Sequence, residues 1–382
     1  MIYLDNAATS FPKPERVYVE MDRCMRQYCA NPGRSGHRLA LEAGRAIYRT
    51  RERLCRLFNI ESPMQVVFTS NATEALNLGI KGLLKEGDHV VTTSVEHNSV
   101  ARPLTALKAK GVSVTYVGCD SKGYLNPRDI ERAIKKNTAL IVITHASNVT
   151  GTLMPVKEVG CIAKERGIPF MLDAAQTAGI YDIDVKDMNI DILAFPGHKG
   201  LMGPQGTGGL YISENLDVLQ MKEGGTGSRS EELAQPVVVP DRYESGTPNT
   251  AGIVGLGEGV GFILEKGTAA IREHEEELTG MLLQGLEQIK GVKIYGPVNP
   301  GLQAGVVSIN IGDGDSGEIS YILDRSYDIA TRSGLHCSPL AHRTIGTFDQ
   351  GTVRFSIGYF NTREDIEAAL RAVEEIAAEM VY

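Results

Sequence analysis

Two stretches decide the fold: Phe170-Met171-Leu172-Asp173-Ala174-Ala175-Gln176 and Ile192-Leu193-Ala194-Phe195-Pro196-Gly197-His198-Lys199. Each is a short apolar run that ends abruptly in polar or ionisable residues. A strand covered by helices on both faces needs such an unbroken run of Val, Ile, Leu and Phe. Working outward, the same reading gives strands at 65–69, 90–93, 112–117, 140–144 and 209–212. Helical spacing falls between them, at 72–84, 101–110, 127–135 and 155–166. Strands and helices alternating in this way predict an α/β fold with a mostly parallel sheet flanked by helices.

Beyond the sheet the pattern changes. Gly224-Gly225-Thr226-Gly227-Ser228 and Glu244-Ser245-Gly246-Thr247-Pro248-Asn249 are loop sequences. One long amphipathic helix is expected over about 251–290, followed by a small α+β unit that ends in a helix from about Thr362. The expected division is a large unit, 15–264, and a small unit built from 1–14 and 265–382. No internal repeat interrupts this plan.

Composition removes several classes of function. The 382 residues are 42% hydrophobic and 23% charged, as in ordinary globular proteins. Trp is absent and aromatics make up 6%, so aliphatic side chains must fill the core. Acidic residues outnumber basic ones, 47 to 39, and no basic block occurs, which argues against nucleic acid and anionic membranes as partners. No apolar run is long enough to cross a bilayer. The six cysteines form no CxxC pair, and no metal site is expected. Five of them read as packing residues. The opening Met1-Ile2-Tyr3-Leu4-Asp5-Asn6 has no basic or apolar leader, which predicts a cytoplasmic protein with reduced thiols.

In an open parallel sheet, ligands sit beyond the carboxyl ends of the strands. Here those ends lead into Ser70-Asn71-Ala72-Thr73-Glu74, Glu96-His97-Asn98, Ser147-Asn148, Asp173-Ala174-Ala175-Gln176 and Gly197-His198-Lys199. Each group matches one part of a pyridoxal phosphate. A partly desolvated Lys199 has a lowered pKa and a free amine for a Schiff base. Asp173 can pair with the pyridinium nitrogen and keep the ring an electron sink. Gln176, three residues on, can hydrogen-bond the ring hydroxyl if it faces the ring. The flat ring of His97 can stack on the cofactor and move protons. The N–H groups of Ala72 and Thr73 open a helix, a natural phosphate seat. Singly, each has a plain structural explanation: a surface lysine, a capping aspartate, a structural histidine, a capping box. Their shared placement after successive strands does not.

Several longer motifs occur in order: Tyr3-Leu4-Asp5-Asn6-Ala7-Ala8-Thr9, Ser70 to Asn77, Glu96-His97-Asn98, His145 to Thr152, Asp173 to Gln176, Gly197-His198-Lys199 and Glu244 to Asn249. Together they resemble the class V aminotransferase family across essentially the whole chain. Arg332-Ser333-Gly334-Leu335-His336-Cys337 and Val353 to Thr362 resemble its cysteine desulfurase and selenocysteine lyase branch, in the short-loop group. The resemblance implies an aspartate-aminotransferase-like fold and a pyridoxal 5'-phosphate enzyme acting on L-cysteine or selenocysteine. Lys199 would be the Schiff-base lysine, Asp173 and Gln176 would hold the ring, and Thr73 and His198 would bind phosphate. Thr247 would reach the site of a neighbouring subunit in a homodimer. Asn148 and Arg354 would bind the substrate carboxylate, with Arg332 also facing substrate; an arginine fork suits a carboxylate. Cys337 would take the sulfur as a persulfide for an acceptor protein or small thiol, as in iron–sulfur cluster assembly.

Cys337 is also singled out by its neighbours. Ser333-Gly334 before it and Ser338-Pro339 after it read as a short exposed loop. Arg332 and His336 are cationic or potentially so, which favours the thiolate. Two positions depart from the family pattern. Pro196 stands where a Ser or Thr would offer the phosphate a hydroxyl. Leu335 replaces a second histidine, which bears on substrate preference. Relatives cleaving selenocysteine, cysteine sulfinate or cystine are the nearest alternatives. A nucleotide-binding Rossmann enzyme would need a Gly-x-Gly-x-x-Gly turn after the first strand, which Ser70 to Glu74 does not provide.

Overall fold

Successive residues of a strand point to opposite faces of its sheet. The apolar runs are unbroken because both faces are buried. Val91, Ile141, Ile143, Leu172 and Leu193 enter one core cluster, whereas Val90, Leu140, Val142, Met171 and Ile192 enter another. Burying each such side chain contributes about 1.5–3 kcal/mol. These clusters come from a computed structural model of the chain, which describes residues 1–33 and 35–380.

The first elements in chain order are β1 (Ile2–Tyr3), α1 (Glu15–Gln27), α2 (Arg38–Phe58), β2 (Val66–Thr69), α3 (Ala72–Leu83), β3 (His89–Thr93), α4 (Asn98–Lys108) and β4 (Ser113–Val117). Then come α5 (Pro127–Ala133), β5 (Thr138–Thr144), α6 (Val156–Glu165), β6 (Phe170–Asp173), β7 (Ile192–Pro196) and β8 (Gly208–Ile212). After a long irregular stretch follow α7 (Thr250–Lys266), α8 (Thr268–Gln288), β9 (Val292–Tyr295), β10 (Val306–Ile311) and α9 (Ser316–Tyr327). The chain finishes with β11 (Ile329–Ala330), β12 (Arg332–Gly334), α10 (Pro339–Ile345), β13 (Thr352–Ser356) and α11 (Arg363–Met380).

The main sheet runs β2-β8-β7-β6-β5-β3-β4. Strand β8 is antiparallel to both neighbours, and the remaining pairs are parallel. The strand order reverses around β3 and β5, the kind of switch point beyond which a ligand crevice forms. A four-stranded antiparallel sheet, β12-β13-β10-β9, and a parallel pair, β1-β11, form a second layer. It has its own core, in which Leu4 packs with residues such as Leu282, Ile309, Phe355 and Val373. The chain is thus α/β with a mostly parallel central sheet. We propose the division at 264 and 265 on the strength of this separate core; positions 381 and 382 of the small unit lie outside the described residues.

Three expectations are corrected. The helix expected over 251–290 is two helices, α7 and α8, separated at Gly267, whose φ of 84° suits a residue without a Cβ. Helix α4 starts at Asn98, earlier than expected, because His97 caps it with its side chain. Not all of the other five cysteines are packing residues: Cys24 and Cys55 are buried, but Cys29 and Cys161 are exposed. Helices α1 and α2, which pack against α7, lie outside the elements assigned from sequence. No helix among the described residues is long and apolar enough to cross a membrane.

Candidate active site

Strand β7 delivers Lys199. The turn after it is tight: Gly197 N donates to Thr207 O at 2.8 Å, and Gly203 N donates to Gly197 O at 2.7 Å. A Cβ on Gly197 would collide with Thr207 Oγ1, so glycine is required there. The segment after β1 holds the next residue, because Ser10 N (3.0 Å), Thr9 Oγ1 (3.0 Å) and Lys13 Nζ (2.8 Å) all donate to His198 O. Lys199 is half-buried. Burial lowers its pKa to about 8, helped by the Arg354 and Arg332 charges and opposed by Asp173 and Asp5. This is the partly desolvated amine expected from sequence.

Asp173 ends β6, level with Thr144 of β5 and Ala194 of β7. It is buried, and Ala175 N donates to its Oδ1 at 2.9 Å. Burial raises its pKa to about 6, against the pull of that N–H and of Lys199. A second acid, Glu96, is buried nearby, with its pKa pushed up to about 8 by burial and by Asp173. Its Oε1 accepts from Thr93 Oγ1 at 2.5 Å and Thr144 N at 3.2 Å. Burial therefore favours the protonated form at both acids, and more strongly at Glu96 than at Asp173.

His97 faces the same site. Burial lowers its pKa to about 4, with Lys199, Arg332, Arg354 and Arg102 adding to the effect, so the ring is neutral. Its Nδ1 accepts from Ser99 N at 3.1 Å. Ser99 Oγ lies 2.9 Å from that nitrogen and 2.7 Å from Thr73 Oγ1. Thr73 and Ala72 open α3, where first-turn N–H groups have no intrahelical acceptor. The cap, Asn71, accepts from Glu74 N at 2.9 Å and leaves the amides of Ala72 and Thr73 to an anion.

The two arginines are cross-strand neighbours: Arg332 of β12 is in register with Arg354 of β13. Like charges opposite one another repel. One carboxylate offsets them, since Arg354 Nη2 donates to Asp5 Oδ1 at 2.9 Å. Arg354 is 1% exposed and its Nε has no hydrogen-bond partner. Two guanidiniums against one acid leave this region net positive, with the buried Arg354 Nε unspent; such a region suits a carboxylate.

Arg332 also reaches Cys337, with Nη2 3.5 Å from Sγ. Cys337 is exposed on a short loop, as expected. His336 and Cys337 have φ of 50° and 58°, unusual for residues with a Cβ. Hydrogen bonds to both backbone and side chain hold this loop. Asn148 Nδ2 donates to His336 O at 2.8 Å, and Asn148 Oδ1 accepts from Ser338 Oγ at 2.6 Å. Asn98 N donates to Cys337 O, and Ser338 N to Leu335 O, both at 2.8 Å. Asn148, expected at the substrate carboxylate, here clamps the cysteine loop with both of its side-chain atoms. His336 is also corrected: it is not the cation beside the thiol. It is buried, and burial holds its pKa far below the ordinary value. Its ring turns to His342 Nε2 at 3.3 Å and Arg332 O at 3.2 Å.

A cavity opens over Lys199 and is lined also by Asn6, Ala7, Gln176 and Tyr359. Gln176 Nε2 donates weakly to Ala7 O at 3.4 Å. His198 Nδ1 is buried without a partner. Thr247 lines a different cavity, with Thr69 and Ser70 of the same chain. A carboxylate, a free amine, a flat neutral ring, an unpartnered imidazole nitrogen and unspent helix amides fit a pyridoxal phosphate. Asp5, Ser99, Ser338 and His342 were not singled out from sequence. Of these, Ser99 had a signal: it follows His97 by two positions at a helix start.

The family model for aminotransferase class-V matches residues 2–369. The chain is 37% identical to a probable cysteine desulfurase of Methanothermobacter thermautotrophicus, covering 98% of this chain and 94% of that one. It is 33% identical to the cysteine desulfurase IscS of Clostridium botulinum, with the same coverage. The apo structure of the Thermococcus onnurineus NA1 cysteine desulfurase is similar, with a TM-score of 0.93 and 36% identity over 99% of this chain and 95% of that one.

Proposed function

Because the chain belongs to the class-V aminotransferase family, we propose that it is a pyridoxal-phosphate-dependent cysteine desulfurase: it converts L-cysteine to L-alanine and keeps the sulfur on Cys337 as a persulfide. The observation that carries this reading is the sharing of Arg332. One guanidinium touches the exposed Cys337 thiol and, with its cross-strand neighbour Arg354, sets the charge around Lys199. The same two arginines thus act on both the Cys337 sulfur and the Lys199 amine, which supports a shared site.

The roles follow from chemistry. Lys199 supplies the amine that holds the cofactor, Asp173 pairs with its ring nitrogen, and His97 covers its face. Ala72, Thr73 and His198 take the phosphate; Gln176 serves the ring hydroxyl. When bound, the cofactor withdraws electrons from the substrate α-carbon. Arg354 and Arg332 bind the substrate carboxylate and orient its sulfur toward Cys337. The Cys337 thiolate attacks that sulfur, an S–S bond forms, and the carbon–sulfur bond breaks. The electron pair goes to carbon, which takes a proton from the Lys199 ammonium to complete alanine. An acceptor thiol then removes the persulfide sulfur by exchange. Asn148 holds the Cys337 loop in place for the attack.

We place the protein in the cytoplasm, where a catalytic thiol stays reduced. A homodimer is supported by exposed Leu219, Leu233, Val237 and Val238 on the segment leading to Thr247, which would reach the phosphate of a second copy. The test adds L-cysteine to the cofactor-loaded protein and maps the product by peptide mass. A sulfur atom on the Cys337 peptide, with one alanine released, is expected. Cys337→Ser should keep the cofactor and lose both products; unchanged alanine formation would remove Cys337 from the reaction. Selenocysteine offered to the same variant separates the lyase reading, since selenium leaves more readily.

A further inference from the structure

Ser99 stands between two groups assigned to the cofactor. Its hydroxyl is 2.7 Å from Thr73 Oγ1 and 2.9 Å from His97 Nδ1. Its own N–H donates to the same Nδ1 at 3.1 Å. Ser99 is 8% exposed, so water is a poor substitute for these contacts.

A backbone N–H can only donate. The Nδ1 lone pair is therefore engaged, and neutral His97 must carry its proton on Nε2. The cations facing the ring, Lys199, Arg332, Arg354 and Arg102, oppose a second proton. His97 thus presents a donor at Nε2 and has no lone pair there to receive a proton. In this tautomer the proton-accepting role at the substrate passes to Lys199, whose lowered pKa raises the fraction of neutral amine.

The hydroxyls add a second effect. With the phosphate seat empty, Thr73 Oγ–H can donate to Ser99 Oγ, and Ser99 Oγ–H to Nδ1. A phosphate oxygen is a stronger, charge-assisted acceptor and draws the Thr73 proton to itself. Thr73 Oγ then becomes the better acceptor for Ser99, and the hydroxyl donation to Nδ1 weakens.

We propose that Ser99 is a positioning residue that fixes His97 as the Nε2–H tautomer and, through Thr73, couples occupancy of the phosphate seat to the His97 ring. This rests on the reading of Ala72 and Thr73 as that seat.

The experiment uses the full chain freed of cofactor, labelled with ¹⁵N-histidine, and inorganic phosphate as the probe. His97 resonances are identified by their loss in His97→Gln. At pH 7 the spectrum should show a protonated Nε2 and an unprotonated Nδ1, and phosphate should move the Nδ1 resonance saturably. Ser99→Ala keeps the backbone donor, so its tautomer should persist, while the phosphate-induced shift falls at least fivefold. Thr73→Val, similar in shape, should lose the shift in the same way and provides the test should Ser99→Ala not fold. A proton on Nδ1, or an undiminished shift in these variants, overturns the proposal. Calorimetry on the same samples reads phosphate binding separately. Binding without any His97 shift in the unmodified protein sinks the coupling alone, whereas no binding sinks the seat as well.

Discussion

Raising the pH should speed cofactor loading only up to a limit set by Lys199. Burial and the two arginines place that limit near 8, from an ordinary value of 10.5. At pH 7 about 10% of the amine is then neutral, against roughly 0.03% for a surface lysine. The reactive fraction is greater by about 300-fold. The same displacement, about 2.5 pH units, corresponds to roughly 3 kcal/mol by which the crevice disfavours the ammonium, less the screening a half-buried group receives. Rapid mixing of the cofactor-free protein with pyridoxal phosphate, followed by absorbance between pH 6 and 10, reads this directly. The rate should climb about tenfold per pH unit below 8 and level off above it. A climb that continues to pH 10 would refute the reasoning. The sign for stability follows. With a lowered folded pKa, the unfolded chain binds more protons between pH 8 and 10.5, so stability rises with pH across that window. Lys199→Met should therefore be the more stable protein at pH 7, by about 2–3 kcal/mol, and its advantage should shrink toward pH 10 in urea titrations.

Asn148→Ala removes two hydrogen bonds from the Cys337 loop and should cost about 2–3 kcal/mol in urea unfolding, with faster iodoacetamide capture of Cys337; equal capture rates would show that Asn148 does not hold the loop. Asp5→Asn leaves buried Arg354 without its counter-charge and should lower stability by roughly 2–4 kcal/mol in thermal unfolding, less than for a fully buried pair because Asp5 is partly exposed. Glu275 is buried, and burial raises its pKa to about 8. The native state therefore holds an extra proton from about pH 4.5 to 8, and stability declines as pH rises through that range. Glu275→Gln should flatten the decline by a few kcal/mol at pH 8; parallel curves would assign the decline to other groups.

The sheet was readable because its strands obey one rule, burial on both faces, and that rule writes itself as continuous Val, Ile and Leu. Residues at strand ends, such as Asp173, Lys199 and His97, were readable for the same reason, since the strand end fixes their place. The break at Gly267 was not: an amphipathic pattern continues across it, and one glycine within helical spacing is usually tolerated. The pairing of Asp5 with Arg354 joins residues 349 positions apart, beyond any local pattern. Nor could spacing show that Asn148 spends both polar atoms on the cysteine loop, because that depends on a left-handed backbone at His336 and Cys337. The cationic role given to His336 failed through burial, which favours the neutral ring.

The pairing of the two ends of the chain has a consequence for biosynthesis. Strand β1 lies against β11, Leu4 O accepts from Ser356 N, and Asn6 Nδ2 donates to Ser356 O and Asn361 Oδ1. While the ribosome is still making the middle of the protein, residues 2–6 lack the strands they pair with, although Thr9, Ser10 and Lys13 can already reach His198. Residues 2–6 must wait, tethered and solvated, until the final strands emerge. Only then does Asp5 meet Arg354, so a nascent polypeptide stalled before residue 354 would hold a nearly finished sheet beside an unfinished carboxylate pocket.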